Sequence, residues 1–176
     1  MKKSQINPMP KFFDRYIKLV REDDLLLALT NSLSVLNELD LALYNTIADK
    51  RYQPEKWTVK EVIQHVIDNE RIQAYRALRF ARFDTTVLSG YDEKVLAHHN
   101  NANKRTIDDL LNELKLVRQT SIYLFESFDD DGVKNLGDCF NVKINALALG
   151  FVIVGHQMHH LNIINERYVP LVNPRH

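Results

Sequence analysis

An all-α fold, a bundle of four long helices, is what this sequence predicts, and three observations predict it. Apolar residues recur at spacings of three and four over several separate stretches, as helices with one buried face require. Pro8 and Pro10 precede the body, Pro54 sits in a connector, and Pro170 and Pro174 follow the last periodic stretch, so none interrupts a helix. No convincing pair of strands is visible. The 176 residues suit one domain over 1–176, with a short lead-in over 1–22 and no linker to divide it.

Residues 10–21 are expected to form a short leading helix. Asp23 or Asp24 then opens the first long helix, whose buried face reads Leu26, Leu29, Leu33 and Leu36. It bends near Asn37 to Asp40, and LALYNTI continues as a separate turn or two. The second long helix starts at TVKE, Thr58 to Glu61, a capping box with Trp57 placed as a hydrophobic staple. Val59, Val62, Val66, Ala74, Ala77, Leu78 and Ala81 carry it to Arg82, a rod of about 37 Å. Residues 83–105 are polar and weakly periodic, a connection long enough to suggest a functional or mobile segment. Thr106 opens the third helix, with Ile107, Leu110, Leu111, Leu114, Val117 and Ile122 on its face and an end near Phe128. DDDGVKNLGD reads as a turn, and the last helix runs from near Ile144 to Tyr168.

Lys plus Arg equals Asp plus Glu at 23 each, so no net field draws in nucleic acid or an anionic membrane. The single cysteine, Cys139, excludes an internal disulfide and fits a reducing cytoplasm. The N-terminus has no apolar core of a signal peptide, and the longest apolar run, Ala146 to Val154, is too short to span a bilayer. A cytoplasmic protein without a membrane or nucleic-acid partner is the expectation.

Chemistry concentrates in GHQMHH, Gly155 to His160. His156 and His160 stand one above the other on a helix, so two neutral imidazoles can reach one divalent ion. A third ligand should come from another helix. His65, between Val62 and Val66, is the best candidate, and Asp68 could orient an imidazole. His159 is rotated by about 100° from His160 and reads as rim or support. The absence of H-E-x-x-H excludes a zincin, the absence of Glu-x-x-His argues against a ferritin-like di-iron site, and one cysteine excludes a zinc finger. A mononuclear histidine-rich site remains.

At WTVKEVIQHVIDNERIQAYRALRFAR and GHQMHHLNIINERY the chain resembles the DinB/YfiT-like metalloenzymes, which are four-helix bundles. The matching features are Trp57-Thr58, His65, and His156 with His160, and the resemblance covers nearly the whole chain. It implies His65, His156 and His160 as ligands of one divalent ion, nickel or zinc, with manganese or iron also admitted by such donors. It implies a small-molecule substrate, a low-molecular-weight thiol such as bacillithiol as cosubstrate, S-transfer or isomerisation as the reaction, and a homodimer. Many members follow the last histidine with Arg-Gly-Gln. Here Leu161-Asn162-Ile163 stands there, which sets this chain apart from the substrates of those relatives.

Three protein ligands with an open position are the catalytic pattern. Thiol S-transfer and hydrolysis by an activated water both remain open. Tyr91, His98 and His99, in the long connector, are candidates for contact with substrate, while Arg71, Arg76, Arg79 and Arg82 form a basic side of the second helix, read as solvated or paired with acids, with a hold on a substrate carboxylate as the alternative. His176 is expected to be mobile. The rival reading is a non-catalytic bundle that binds a small molecule, a metal or a partner protein.

Overall fold

The computed structural model describes residues 1–139 and 141–172, and His176 lies outside them. The long helices are α2 (Leu25–Asn37), α4 (Val59–Ala81), α6 (Ile107–Glu126) and α8 (Ala146–Ile163). The short ones are α1 (Asp14–Ile17), α3 (Leu41–Ile47), α5 (Glu93–His99) and α7 (Asp130–Lys134). In the bundle α4 packs on α6 and α8, and α2 packs on the same two. The first and second long helices, α2 and α4, therefore stand diagonally, as do the third and fourth, α6 and α8, and the order around the bundle is α2, α6, α4, α8.

Local chemistry fixes the helix starts. Asp24 accepts from the Leu27 amide at 3.1 Å, Thr106 from Asp109 at 3.1 Å and Asn145 from Ala148 at 2.8 Å. At α4 the capping box is complete: the Glu61 amide donates to Thr58 Oγ1 at 3.1 Å, and the Thr58 amide donates to Glu61 Oε2 at 2.7 Å. The buried face of α2 is turned from the expected one. Leu29 and Leu36 are buried, but Leu25, Ala28 and Ser32 join them while Leu26 and Leu33 are half-buried.

Helix α8 is buried continuously from Ala146 to Gln157, at the centre of the bundle core. An 18-residue window within Ala146–Leu171 reaches a mean hydropathy of 1.2, enough by length and composition for a bilayer span, yet 67% of that window is buried inside the fold. Beyond Ile163 the chain continues as a π-helical turn, Ile164–Tyr168.

Two segments differ from expectation. The stretch read as a turn holds α7, followed by an antiparallel pair of strands, β1 (Leu136–Cys139) and β2 (Val142–Asn145). Each strand has four residues, too few for alternation to register. The long connector is partly ordered: it holds α5, and the Leu88 amide donates to the Asp138 carbonyl at 2.9 Å.

Candidate metal centre

The three histidines come from two adjacent helices. His65 lies on α4 and is 6% exposed, while His156 on α8 is 4% exposed and His160 is half-buried one turn later. His156 Nε2 lies 3.1 Å from Nε2 of His65 and 3.1 Å from Nε2 of His160. One ligand atom from each ring falls within 4.8 Å of the others.

This cluster is awkward as a purely internal hydrogen-bond network. A neutral imidazole nitrogen is a donor or an acceptor, not both. Nε2 of His156 would have to serve both neighbours, as one lone pair for two N–H groups or one N–H for two lone pairs. A shared cation at the Nε2 atoms removes that conflict, because each ring then directs a lone pair at it, while Nδ1 of His160 stays buried without a partner among the described residues. The 3.1 Å separations are close to the roughly 3.3 Å between two nitrogens bound at tetrahedral angles to one ion. The donor set is all imidazole, which suits a divalent transition ion.

Burial keeps the rings neutral. It pushes His65 down to about 4, with Asp68 opposing and His159 adding to the fall. Burial also pushes His160 down to about 2, and it drives His156 well below the usual histidine range, helped by the neighbouring rings. Neutral rings carry the lone pairs that metal binding needs.

Aromatic side chains close one side of the cluster. Trp57 lies against His65 with ring centroids 4.9 Å apart, and its carbonyl accepts from the Tyr168 hydroxyl at 2.7 Å. Tyr16 meets His156 edge-on at 5.2 Å and His159 at 5.5 Å. That contact depends on Gly155, since a Cβ there would come within 2.0 Å of the Tyr16 carbonyl oxygen. The histidines open into a cavity of about 720 Å³ that also reaches Asn69, Gln73, Arg76, Tyr91 and Cys139. A cavity of this size takes a small molecule.

The remaining expected residues scatter. Asp68 is half-buried and accepts from Gln64 Nε2 at 2.9 Å, and it makes no hydrogen bond to a histidine among the described residues. His159 lines the cavity, its ring 5.0 Å from that of His160. Tyr91 lines the cavity too, its hydroxyl accepting from Asn69 Nδ2 at 2.7 Å. His98 and His99 are exposed at the end of α5, pack on each other at 4.8 Å, and stand outside the cavity lining. Of the four arginines, Arg71 pairs with Glu113 at 2.6 Å, Arg79 with Asp84, and Arg82 lies over the Phe128 ring, whereas Arg76 is buried in the cavity wall. Cys139 is buried there as well, and burial pushes its thiol up. Sequence reasoning missed Tyr16, Asn69 and Gln73. The last two carried a signal, since they continue the His65 face of α4 at helical spacing.

No curated protein matches the chain. Among solved structures it is similar to YfiT from Bacillus subtilis, described as a probable metal-dependent hydrolase with an unusual four-helix bundle topology. The two share 20% identity over 90% of this chain and 86% of that one, with a TM-score of 0.64, a likeness of fold. The DinB superfamily matches residues 24–164, and with that match over most of its length the chain belongs to the DinB superfamily.

Proposed function

We propose that this protein is a divalent-metal-dependent enzyme that acts on a small molecule, with His65, His156 and His160 as the metal ligands. The observation that carries the reading is the convergence of three neutral imidazoles, two buried and one half-buried, beside a cavity of about 720 Å³. A bound divalent ion supplies Lewis acidity and lowers the pKa of a water or thiol that reaches it. The chain's own residues do the rest. The three rings stay unprotonated at neutral pH through burial. Trp57 and Tyr16 hold two of the rings in place and keep water from one side. The cavity positions the substrate's electrophilic centre next to the histidines.

Hydrolysis and transfer to a low-molecular-weight thiol both fit this arrangement. The description of the similar fold as a probable metal-dependent hydrolase supports the first, and a cavity far larger than water needs supports a bound cosubstrate. Nickel and zinc are the ions proposed, ahead of manganese and iron. The proposal includes a cytoplasmic homodimer. The cytoplasm is supported by the single buried thiol, Cys139.

Elemental analysis of tag-free protein tests the centre, with wild type beside His65→Ala, His156→Ala and His160→Ala. The expected result is about one divalent ion per chain in wild type, lost in each variant while the helical circular dichroism stays near wild type. Full occupancy in His160→Ala would sink the ligand assignment. No uptake by wild type from nickel, zinc or manganese would favour the non-catalytic bundle.

A further inference from the structure

Among the described residues two arginines are buried, and they are treated differently. Arg118 is 0% exposed and is met by both oxygens of Glu70, Nε to Oε1 at 2.8 Å and Nη2 to Oε2 at 2.9 Å. Arg76 is 5% exposed and makes no ion pair among the described residues. Its Nη1 donates to Gln73 Oε1 at 3.3 Å, its Nη2 donates to the Ser89 carbonyl at 3.0 Å, and its guanidinium lies 5.4 Å from the centre of the Tyr91 ring. The acid that lines the same cavity, Glu93, is exposed and does not pair with it. Arginine does not give up its proton, so a buried guanidinium without an acid is a cost that neutral acceptors offset only in part.

The position of Arg76 adds a direction. His65, Asn69, Gln73 and Arg76 follow one another on α4 at spacings of four, four and three, and all four are buried and line the cavity. One face of one helix therefore runs from the histidine cluster to the guanidinium, about 16 Å along the axis. Midway, Asn69 Oδ1 is buried with no hydrogen-bond partner among the described residues. A cavity wall with an unpaired cation at one end, an unused acceptor in the middle and converging imidazoles at the other is incomplete without a ligand.

We propose that Arg76 binds the carboxylate of the substrate, an elongated small molecule whose reacting group lies at the histidines and whose donor groups meet Asn69 along the way. This rests on the reading of the cavity as the substrate site. The planar fork of a guanidinium matches a carboxylate, and a desolvated site strengthens the pair.

The test uses metal-free, full-length protein and a matched pair of probes, phenylbutyrate and its neutral amide, phenylbutyramide. Binding is followed by calorimetry and by the Arg76 side-chain N–H resonance in nitrogen-edited NMR spectra. The carboxylate is expected to bind at least about tenfold more tightly than the amide and to shift that resonance. Arg76→Gln should abolish the preference and Arg76→Lys should keep part of it, whereas His160→Ala should leave it intact. Equal affinity for the two probes in wild type, binding of neither, or a preference that survives in Arg76→Gln overturns the proposal. A purely structural Arg76 would lower the melting temperature on substitution and leave the ratio of affinities unchanged, which also overturns it. Because the readout needs no metal, the metal centre and the carboxylate site can fail independently.

Discussion

Two clusters of buried polar side chains adjoin in this bundle, and they are built on opposite principles. One takes a residue from each long helix: Ser32 on α2, Glu70 on α4, Arg118 on α6 and Gln157 on α8. Its charges are paired within the cluster, with the Glu70–Arg118 fork closed and Arg118 also donating to Ser32 Oγ, while Gln157 donates to the Ser32 carbonyl at 2.9 Å. The other cluster uses only α4 and α8, and its ring nitrogens converge on a point beside a cavity. A network whose charges are paired internally, even with Gln157 Oε1 left without a partner among the described residues, ties helices together and fixes which faces meet. An open one leaves ring nitrogens converging beside a cavity, the arrangement proposed to hold a ligand. Adjacent residues serve the two roles: Gln157 follows His156 in the chain.

The largest expected effect lies in the closed cluster. Glu70→Leu leaves the Arg118 guanidinium buried and unpaired, which should cost about 3–5 kcal/mol. Against a total stability of about 5–15 kcal/mol for a domain of this kind, that loss is severe. Urea unfolding measures it. Adding Arg118→Met should recover most of the loss, since an apolar pair of similar volume removes the stranded charge. A single variant that loses under about 1 kcal/mol would mean the ion pair does not hold the helices together.

The contrast also explains what the sequence disclosed. The metal candidates were legible because His156 and His160 share a helix at a spacing that geometry limits to one face, and the α4 start was legible because TVKE carries its own cap. The closed cluster was not. Ser32, Glu70, Arg118 and Gln157 each look like an ordinary solvated residue within its own helix, and only the packing of four helices makes them neighbours. The turned face of α2 has the same origin, because Ser32 goes inward to meet Arg118. Arg76 read as one of four equivalent arginines, solvated or acid-paired with carboxylate binding as the alternative, because sequence does not show which of them lacks an acid. The strands failed for a different reason: LGDC and VKIN are too short and too polar for a period to emerge.

A smaller effect should separate the aromatic cover from the bundle itself. Gly155→Ala places a methyl group where the Tyr16 backbone passes, so α1 must shift away from α8. The expected cost is about 1–3 kcal/mol, the usual range for overpacking. Amide hydrogen exchange should accelerate over Asp14–Ile17 while α4 and α6 keep their protection. Unchanged stability and unchanged exchange in α1 would show that Tyr16 is not held against the histidines by this contact. Uniformly faster exchange would place the glycine's role in the bundle as a whole.

The smallest effect is read from the response to acid, and it belongs to the open cluster. Burial holds His65 at about 4 in the folded protein, below the roughly 6.5 of an exposed histidine. Between those values the unfolded chain binds the proton that the folded one refuses, so the metal-free protein loses stability as pH falls below about 6.5, and the His65 share of the loss is complete near about 4. From about pH 7 to about pH 5.5 that share is about 1 kcal/mol. His156 and His160, also pushed down by burial, add losses of the same sign. Urea midpoints at the two pH values, for metal-free wild type and His65→Ala, test the assignment. The variant should be the less acid-sensitive by about the His65 share. Equal sensitivity would mean that His65 is hydrated or already charged in the folded state, and a charged ring cannot direct a lone pair at an ion.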